Sequence, residues 1–238
     1  MRRRFFVDQF TGQTAVIDGE TAHHLGRVLR AQQGQLYELS DGANVWLGRI
    51  EGVTRDRVEF ALVEEIASHP PPLDVTLLLS VVKFDAFEWA IEKATELGVS
   101  TIVPLAAARS EKALLVAAAK RADRWKKILV EASQQSRRVR VPVLAPLMRP
   151  DQGFDAHRTG TCVMLSERAD APPLREVVAP QAEVKAVLAI GPEGGWTDEE
   201  LGAATLAAFR EASLGKLILR TETAVIAALA SLNYALGA

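Results

Sequence analysis

The stretch 184–197, V-K-A-V-L-A-I-G-P-E-G-G-W-T, constrains this chain more than any other. A short apolar run containing Val184, Val187, Leu188 and Ile190 ends in a loop of three glycines and a proline. A helix start follows at once. The run reads as a buried strand, although so short an apolar segment also fits a buried helix. Gly191, Gly194 and Gly195 permit left-handed backbone angles and close approach to the main chain. Thr197 is a good N-cap, with Glu200 at the capping-box position. Asp198 and Glu199 suit the positive end of a helix. Strand, glycine loop and helix together form the layout of a ligand-binding turn at the carboxyl end of a sheet strand. A tight structural turn is the competing reading, because Gly-Pro loops mark turns in general.

The rest of the chain divides by pattern. Residues 1–68 are short, alternating and turn-rich, with strands expected at 5–7, 14–17, 35–39, 45–50 and 57–63 and a short helix at 19–29. Asp18-Gly19 and Asp41-Gly42 supply turn signals. That spacing suggests a small β-barrel. His69-Pro70-Pro71-Pro72 reads as a stiff linker. From 73 to 238 strands alternate with helices, which implies α/β architecture on a mostly parallel sheet. Strands are expected at 75–82, 101–105, 141–144, 161–166, 184–190 and 209–214. Helices are expected at 85–97, 111–136 with a break near Ala122, 172–178, 197–207 and 221–236. The last is apolar on several sides and should be deeply packed.

Several chemistries are disfavoured by what the chain lacks. Four histidines and one cysteine show no zinc-ligand spacing, so no metal is expected. Cys162 sits in the apolar run T-C-V-M-L and reads as a buried, inert thiol. No G-x-S-x-G elbow, no G-x-x-x-x-G-K-[ST] loop and no early G-x-G-x-x-G occur. No apolar run approaches membrane-spanning length. The start M-R-R-R-F-F-V-D lacks a signal peptide's apolar stretch, so a cytoplasmic location is expected.

Charge is the next signal. The formal net charge is −2, yet 120–140 holds eight Lys or Arg against only Asp123 and Glu131. Such a run suits phosphates, and a solvated helix face is the bland alternative. Arg2, Arg3 and Arg4 form a second basic group, with Arg27 and Arg30 close in sequence. Further on, 214–224 reads L-G-K-L-I-L-R-T-E-T-A. Gly215 allows backbone approach to a ligand. Thr221 or Thr223 can cap the final helix. Arg220 and Glu222 would need partners if buried.

I-G-P-E-G-G-W-T-D-E-E followed by L-G-K-L-I-L-R-T-E-T-A resembles the SPOUT superfamily of methyltransferases. Within it the chain is similar to the bacterial 16S ribosomal RNA uracil-N3 methyltransferase family. The resemblance extends to R-R-F-F-V at 3–7, H-H-L-G-R-V-L-R at 23–30, I-E-K-A-T-E-L-G-V at 91–99 and R-W-K-K-I-L-V-E-A-S-Q-Q-S-R-R at 124–138. Gln35 and Leu217 stand where the family pattern favours an acidic and a polar residue.

The resemblance implies a C-terminal α/β domain (73–238) tied in a deep trefoil knot, after a PUA-like, RNA-binding β-barrel (1–68). It implies a homodimer, and S-adenosylmethionine as cofactor. The cofactor loops would be Leu165, Ser166 and Glu167; then Ile190, Gly191, Pro192, Glu193, Gly194 and Gly195; then Leu214, Gly215, Leu219, Arg220, Thr221 and Thr223. Arg220 and Glu222 are the candidate catalytic residues: Arg220, or the arginines of the first strand across a dimer interface, to stabilise a uracil anion, and Glu222 to accept a proton or orient the cofactor. Arg2, Arg3, Arg4, His24, Arg27, Arg30, Arg124, Lys127, Arg137 and Arg138 would grip 16S ribosomal RNA, as free RNA or in the assembled small subunit. A SPOUT enzyme acting on tRNA or another ribosomal site, and a non-catalytic RNA-binding assembly protein, are the competing functions.

Overall fold

The computed structural model describes residues 3–68, 71–178 and 185–236. Arg2, the His69-Pro70 half of the linker and Val184 therefore lie outside the described residues. The chain forms two compact units, 1–70 with 133–141, and 71–132 with 142–238.

The first unit is built on a five-stranded sheet. Its strands are β1 (Arg4–Phe6), β2 (Thr14–Asp18), β3 (Leu36–Ser40), β4 (Val45–Val53) and β5 (Arg57–Glu65). Their spatial order is β1-β3-β4-β5-β2, with β1 parallel to β3 and the other pairs antiparallel. Alternation drives this sheet: Leu39, Ile50, Val58 and Phe60 point into one core with Phe5 and Leu25, all essentially inaccessible. Asp41 closes the β3–β4 turn by accepting the N–H groups of Ala43 and Asn44 at 2.9 and 2.7 Å. No ladder joins β1 to β2 among the described residues, so the small barrel expected from the sequence takes the form of an open, curled sheet. The expected helix begins as α1 (Gly19–His23) and continues as a wider π-helical turn (His24–Val28).

One expectation is corrected in this unit. Arg4 is not a free surface cation. It is 7% exposed, and its Nε and Nη2 donate to Glu38 Oε2 at 3.1 and 2.9 Å. Its Nη1 donates to the carbonyl of Arg137 at 2.6 Å, so it ties the 133–141 segment to the sheet. A buried carboxylate needs such a partner, because an uncompensated charge there is costly.

The second unit carries a six-stranded, all-parallel sheet. Its strands are β6 (Asp74–Ser80), β7 (Thr101–Leu105), β8 (Val143–Leu144), β9 (Thr161–Leu165), β10 (Lys185–Ile190) and β11 (Arg210–Ala212). They lie in the order β11-β9-β10-β6-β7-β8. The central strands carry mostly apolar, buried runs, such as 77–79, 162–165 and 186–190, as a sheet covered on both faces requires. The helices are α2 (Phe84–Glu96), α3 (Lys112–Gln135), α4 (Pro150–Ala156), α5 (Leu174–Val177), α6 (Asp198–Leu206) and α7 (Thr221–Leu236).

Three differences from the sequence reading stand out here. The segment expected to break near Ala122 is one continuous helix, α3. α4 was not anticipated; seven residues with an internal glycine give little periodic signal, and Pro150 at its first turn is its clearest mark. α7 is not deeply packed all round. Val225, Ala228, Leu229 and Leu232 are buried, whereas Tyr234 is 91% exposed.

Candidate active site

Because every strand of the second sheet is parallel, the carboxyl ends of β9, β10 and β11 open on one edge. The segments after these three strands line a single pocket with about 870 Å³ of space, including the part open to solvent. Leu165, Ser166 and Glu167 come from the first segment; Ile190, Gly191, Pro192, Glu193 and Gly195 from the second; Leu214, Gly215, Leu219 and Thr221 from the third. Three stretches far apart in sequence thus meet where a ligand fits.

The middle segment is fixed by its own chemistry. Thr197 caps α6, with its Oγ1 accepting the Glu200 N–H at 3.2 Å. Glu200 Oε2 returns to the Thr197 N–H at 2.9 Å, completing the capping box. Its other oxygen accepts the Ala108 N–H at 2.8 Å. Trp196 is 7% exposed and donates its indole N–H to the Leu165 carbonyl at 2.9 Å. Its ring fills the space over Gly191, where a Cβ would lie 3.0 Å from it. Gly195 has φ +70°, a conformation side chains resist. Gly215 has φ +131° with nothing within 4 Å of a would-be Cβ, so its backbone faces open space.

The third segment returns to the second through Thr221. Its hydroxyl donates to the Gly191 carbonyl at 3.3 Å, so the side chain links two loops. Ser213 Oγ accepts the Gly215 N–H at 3.1 Å and tightens the turn. Leu217 and Ile218 line the pocket and are 82% and 79% exposed.

The structure does not bring every expected residue into the wall. Gly194 is exposed and outside the lining, its carbonyl accepting from Arg109 Nη1 at 2.7 Å. Arg220 and Thr223 are exposed and Glu222 is half-buried, none of them in the lining. Sequence reasoning missed Arg109, Arg168 and Ser213, which line the pocket. Arg109 belongs to no glycine motif; its place shortly after a strand, at the sheet's carboxyl edge, was its only available signal.

The basic residues sort by burial and partner. Arg3, Arg27 and Arg30 are exposed, and His24 is half-buried. Arg137 lies 3.7 Å from Glu38, and Arg138 is half-buried, its guanidinium pulled down to about 10 by burial and by Arg140. In the second unit Lys127 is exposed, while Arg124 Nε donates to both oxygens of Glu88 at 2.8 and 2.7 Å. Arg121 stacks over Phe84 and faces the same carboxylate, so part of the basic run neutralises a buried acid rather than standing free. Among the described residues no helix is long and apolar enough to cross a membrane.

A family model described as an RNA methyltransferase domain matches residues 69–233, and one described as an RNA methyltransferase PUA domain matches 17–63. The chain is 34% identical over 231 residues to the ribosomal RNA small subunit methyltransferase E of Synechocystis, covering 95% of this chain and 75% of that one. It is 31% identical to the Bacillus subtilis protein of that name, covering 98% and 96%. The crystal structure of a ribosomal RNA small subunit methyltransferase E from Neisseria gonorrhoeae, bound to S-adenosyl methionine, superposes with a TM-score of 0.90 at 31% identity, over 100% of this chain and 99% of that one. A Legionella pneumophila structure with bound cofactor SAM gives 0.89 at 30%, with 100% and 99% coverage.

Proposed function

The chain belongs to the RNA methyltransferase family that carries an N-terminal PUA domain and a SPOUT-type parallel sheet, and from that premise we propose that it methylates N3 of a uridine in 16S ribosomal RNA. The observation that carries the reading is the convergence of the three loops on one pocket. S-adenosylmethionine is the cofactor, and the residues present fit it. Leu165, Ile190, Leu214 and Leu219 offer apolar walls to a flat base, and the glycine backbones let it approach. Glu167 supplies a carboxylate beside a cationic ligand.

When bound, the cofactor would supply an electrophilic methyl group: the bond to N3 would form as the S–C bond breaks, leaving S-adenosylhomocysteine, and the N3 proton would pass to a base. The protein's part is to hold the base in line and to favour its anion. Arg220 is the proposed cation: it follows Leu219 of the wall and is exposed to an incoming base. Glu222, half-buried in the first turn of α7, is the proposed proton acceptor. The target base leaves any stack to reach the pocket. Arg3, Arg27 and Arg30 hold RNA phosphates and set register rather than read sequence. The deep knot, the homodimer, the assembled small subunit as substrate and a cytoplasmic site of action belong to the same proposal.

Replacing Gly194 by leucine tests it. A Cβ there would sit 3.2 Å from Arg109 Cβ, so a larger side chain displaces either the turn or the Arg109 side chain packed on it. Methyl transfer is expected to vanish while RNA binding stays near wild type. Full activity in that variant would remove this turn from the cofactor site.

A further inference from the structure

We propose that Arg109 is the positioning residue of the cofactor turn, holding the double glycine Gly194-Gly195 in its binding shape. The inference rests on the cofactor reading above. Two consecutive glycines have more conformations to lose than any other dipeptide, so a turn built from them needs an outside restraint to be ready for a ligand.

Arg109 supplies that restraint at two levels. Its Nη1 donates to the Gly194 carbonyl at 2.7 Å, a charge-assisted bond that fixes the plane of the peptide between the glycines. Its aliphatic stem lies against Gly194: a Cβ built there would meet Arg109 Cβ at 3.2 Å and Cδ at 3.4 Å. A side chain at 194 would press on that stem, which would have to give by a few tenths of an ångström. The next glycine, at φ +70°, then turns the chain so that its N–H reaches the Pro192 carbonyl at 2.8 Å.

The anchor is itself anchored. Ala106 donates to the Met148 carbonyl at 2.8 Å, and Ala108 donates to Glu200 Oε1 at 2.8 Å. Glu200 also caps the far end of the turn through the Thr197 N–H. One loop, 106–110, therefore holds the turn at its middle through Arg109 and at its end through Glu200. Among the described residues no carboxylate pairs with Arg109, so its ordered role is to the Gly194 carbonyl rather than to a surface ion pair.

The experiment compares wild type, Arg109→Ala and Arg109→Lys. It measures S-adenosylmethionine binding by calorimetry, methyl-transfer kinetics on small ribosomal subunits, and amide hydrogen exchange across 191–197. Arg109→Ala should raise the Kd and KM for S-adenosylmethionine about ten-fold. Its kcat at saturating cofactor should stay within about two-fold. Exchange at Gly195 and Trp196 should quicken. Arg109→Lys should recover part of the affinity, because an ammonium can still donate to the carbonyl. Unchanged affinity and exchange in Arg109→Ala would overturn the proposal, and so would a fall in kcat at constant Kd. If wild type itself takes up no S-adenosylmethionine, the methyltransferase reading falls, and the exchange comparison still decides on Arg109.

Discussion

The Trp196 indole N–H and the Leu165 carbonyl, 2.9 Å apart, join the glycine turn after β10 to the end of β9. The same ring packs edge-on against Phe154 at 5.9 Å, so it belongs to the core beneath the pocket as well as to its wall. Trp196→Phe keeps most of the apolar contact and removes the donor, leaving the Leu165 carbonyl without this partner. We expect a loss of about 1–3 kcal/mol of stability, measured by urea unfolding, together with weaker S-adenosylmethionine binding by calorimetry. Unchanged values for both would show that the bond does not organise the site.

Buried and exposed arginines of the first unit should behave oppositely. Arg4→Ala leaves Glu38, whose side chain is 9% exposed, to the longer 3.7 Å contact with Arg137, and should cost about 3 kcal/mol. Arg27→Ala should leave the unfolding midpoint where it is and weaken RNA binding, with a shallower dependence of affinity on salt. Filter binding across a salt series, beside thermal unfolding, separates the two. A stable Arg4→Ala protein with weak RNA binding would return Arg4 to the interface.

These arginines also show where sequence reading stops. Arg3 and Arg4 are adjacent and identical in type, yet one is exposed and the other buried against Glu38, 34 residues away. Nothing local distinguishes them, because burial here is decided by a long-range strand pairing. The glycine turn was legible for the opposite reason: strand, turn and capped helix are all local, and Thr197 and Glu200 announce the cap in the sequence. The parallel sheet was legible from apolar runs alternating with helical periods. Arg109 was not, since its function depends on a carbonyl 85 residues on. Arg220 and Glu222 were chosen for their chemistry, and the fold sets them outside the pocket wall.

Acid should find His157, at the end of α4, where burial holds the imidazole below its ordinary value of 6.5. The unfolded chain then takes up the proton first as pH falls. Stability from this group is complete above about pH 6.5 and is lost as pH drops toward the folded value. His157→Gln should therefore shrink the fall in urea midpoint between about pH 7.5 and pH 5. An equal fall in both proteins would assign the acid sensitivity elsewhere.

The most direct test of the account is transfer of label from radiolabelled S-adenosylmethionine to small ribosomal subunits, with the labelled base mapped and cofactor binding measured alongside. The account predicts cofactor binding and label on N3 of a single uridine in 16S ribosomal RNA. Absence of binding at about millimolar cofactor, roughly 4 kcal/mol of affinity, would contradict it and leave an RNA-binding protein built on a methyltransferase fold.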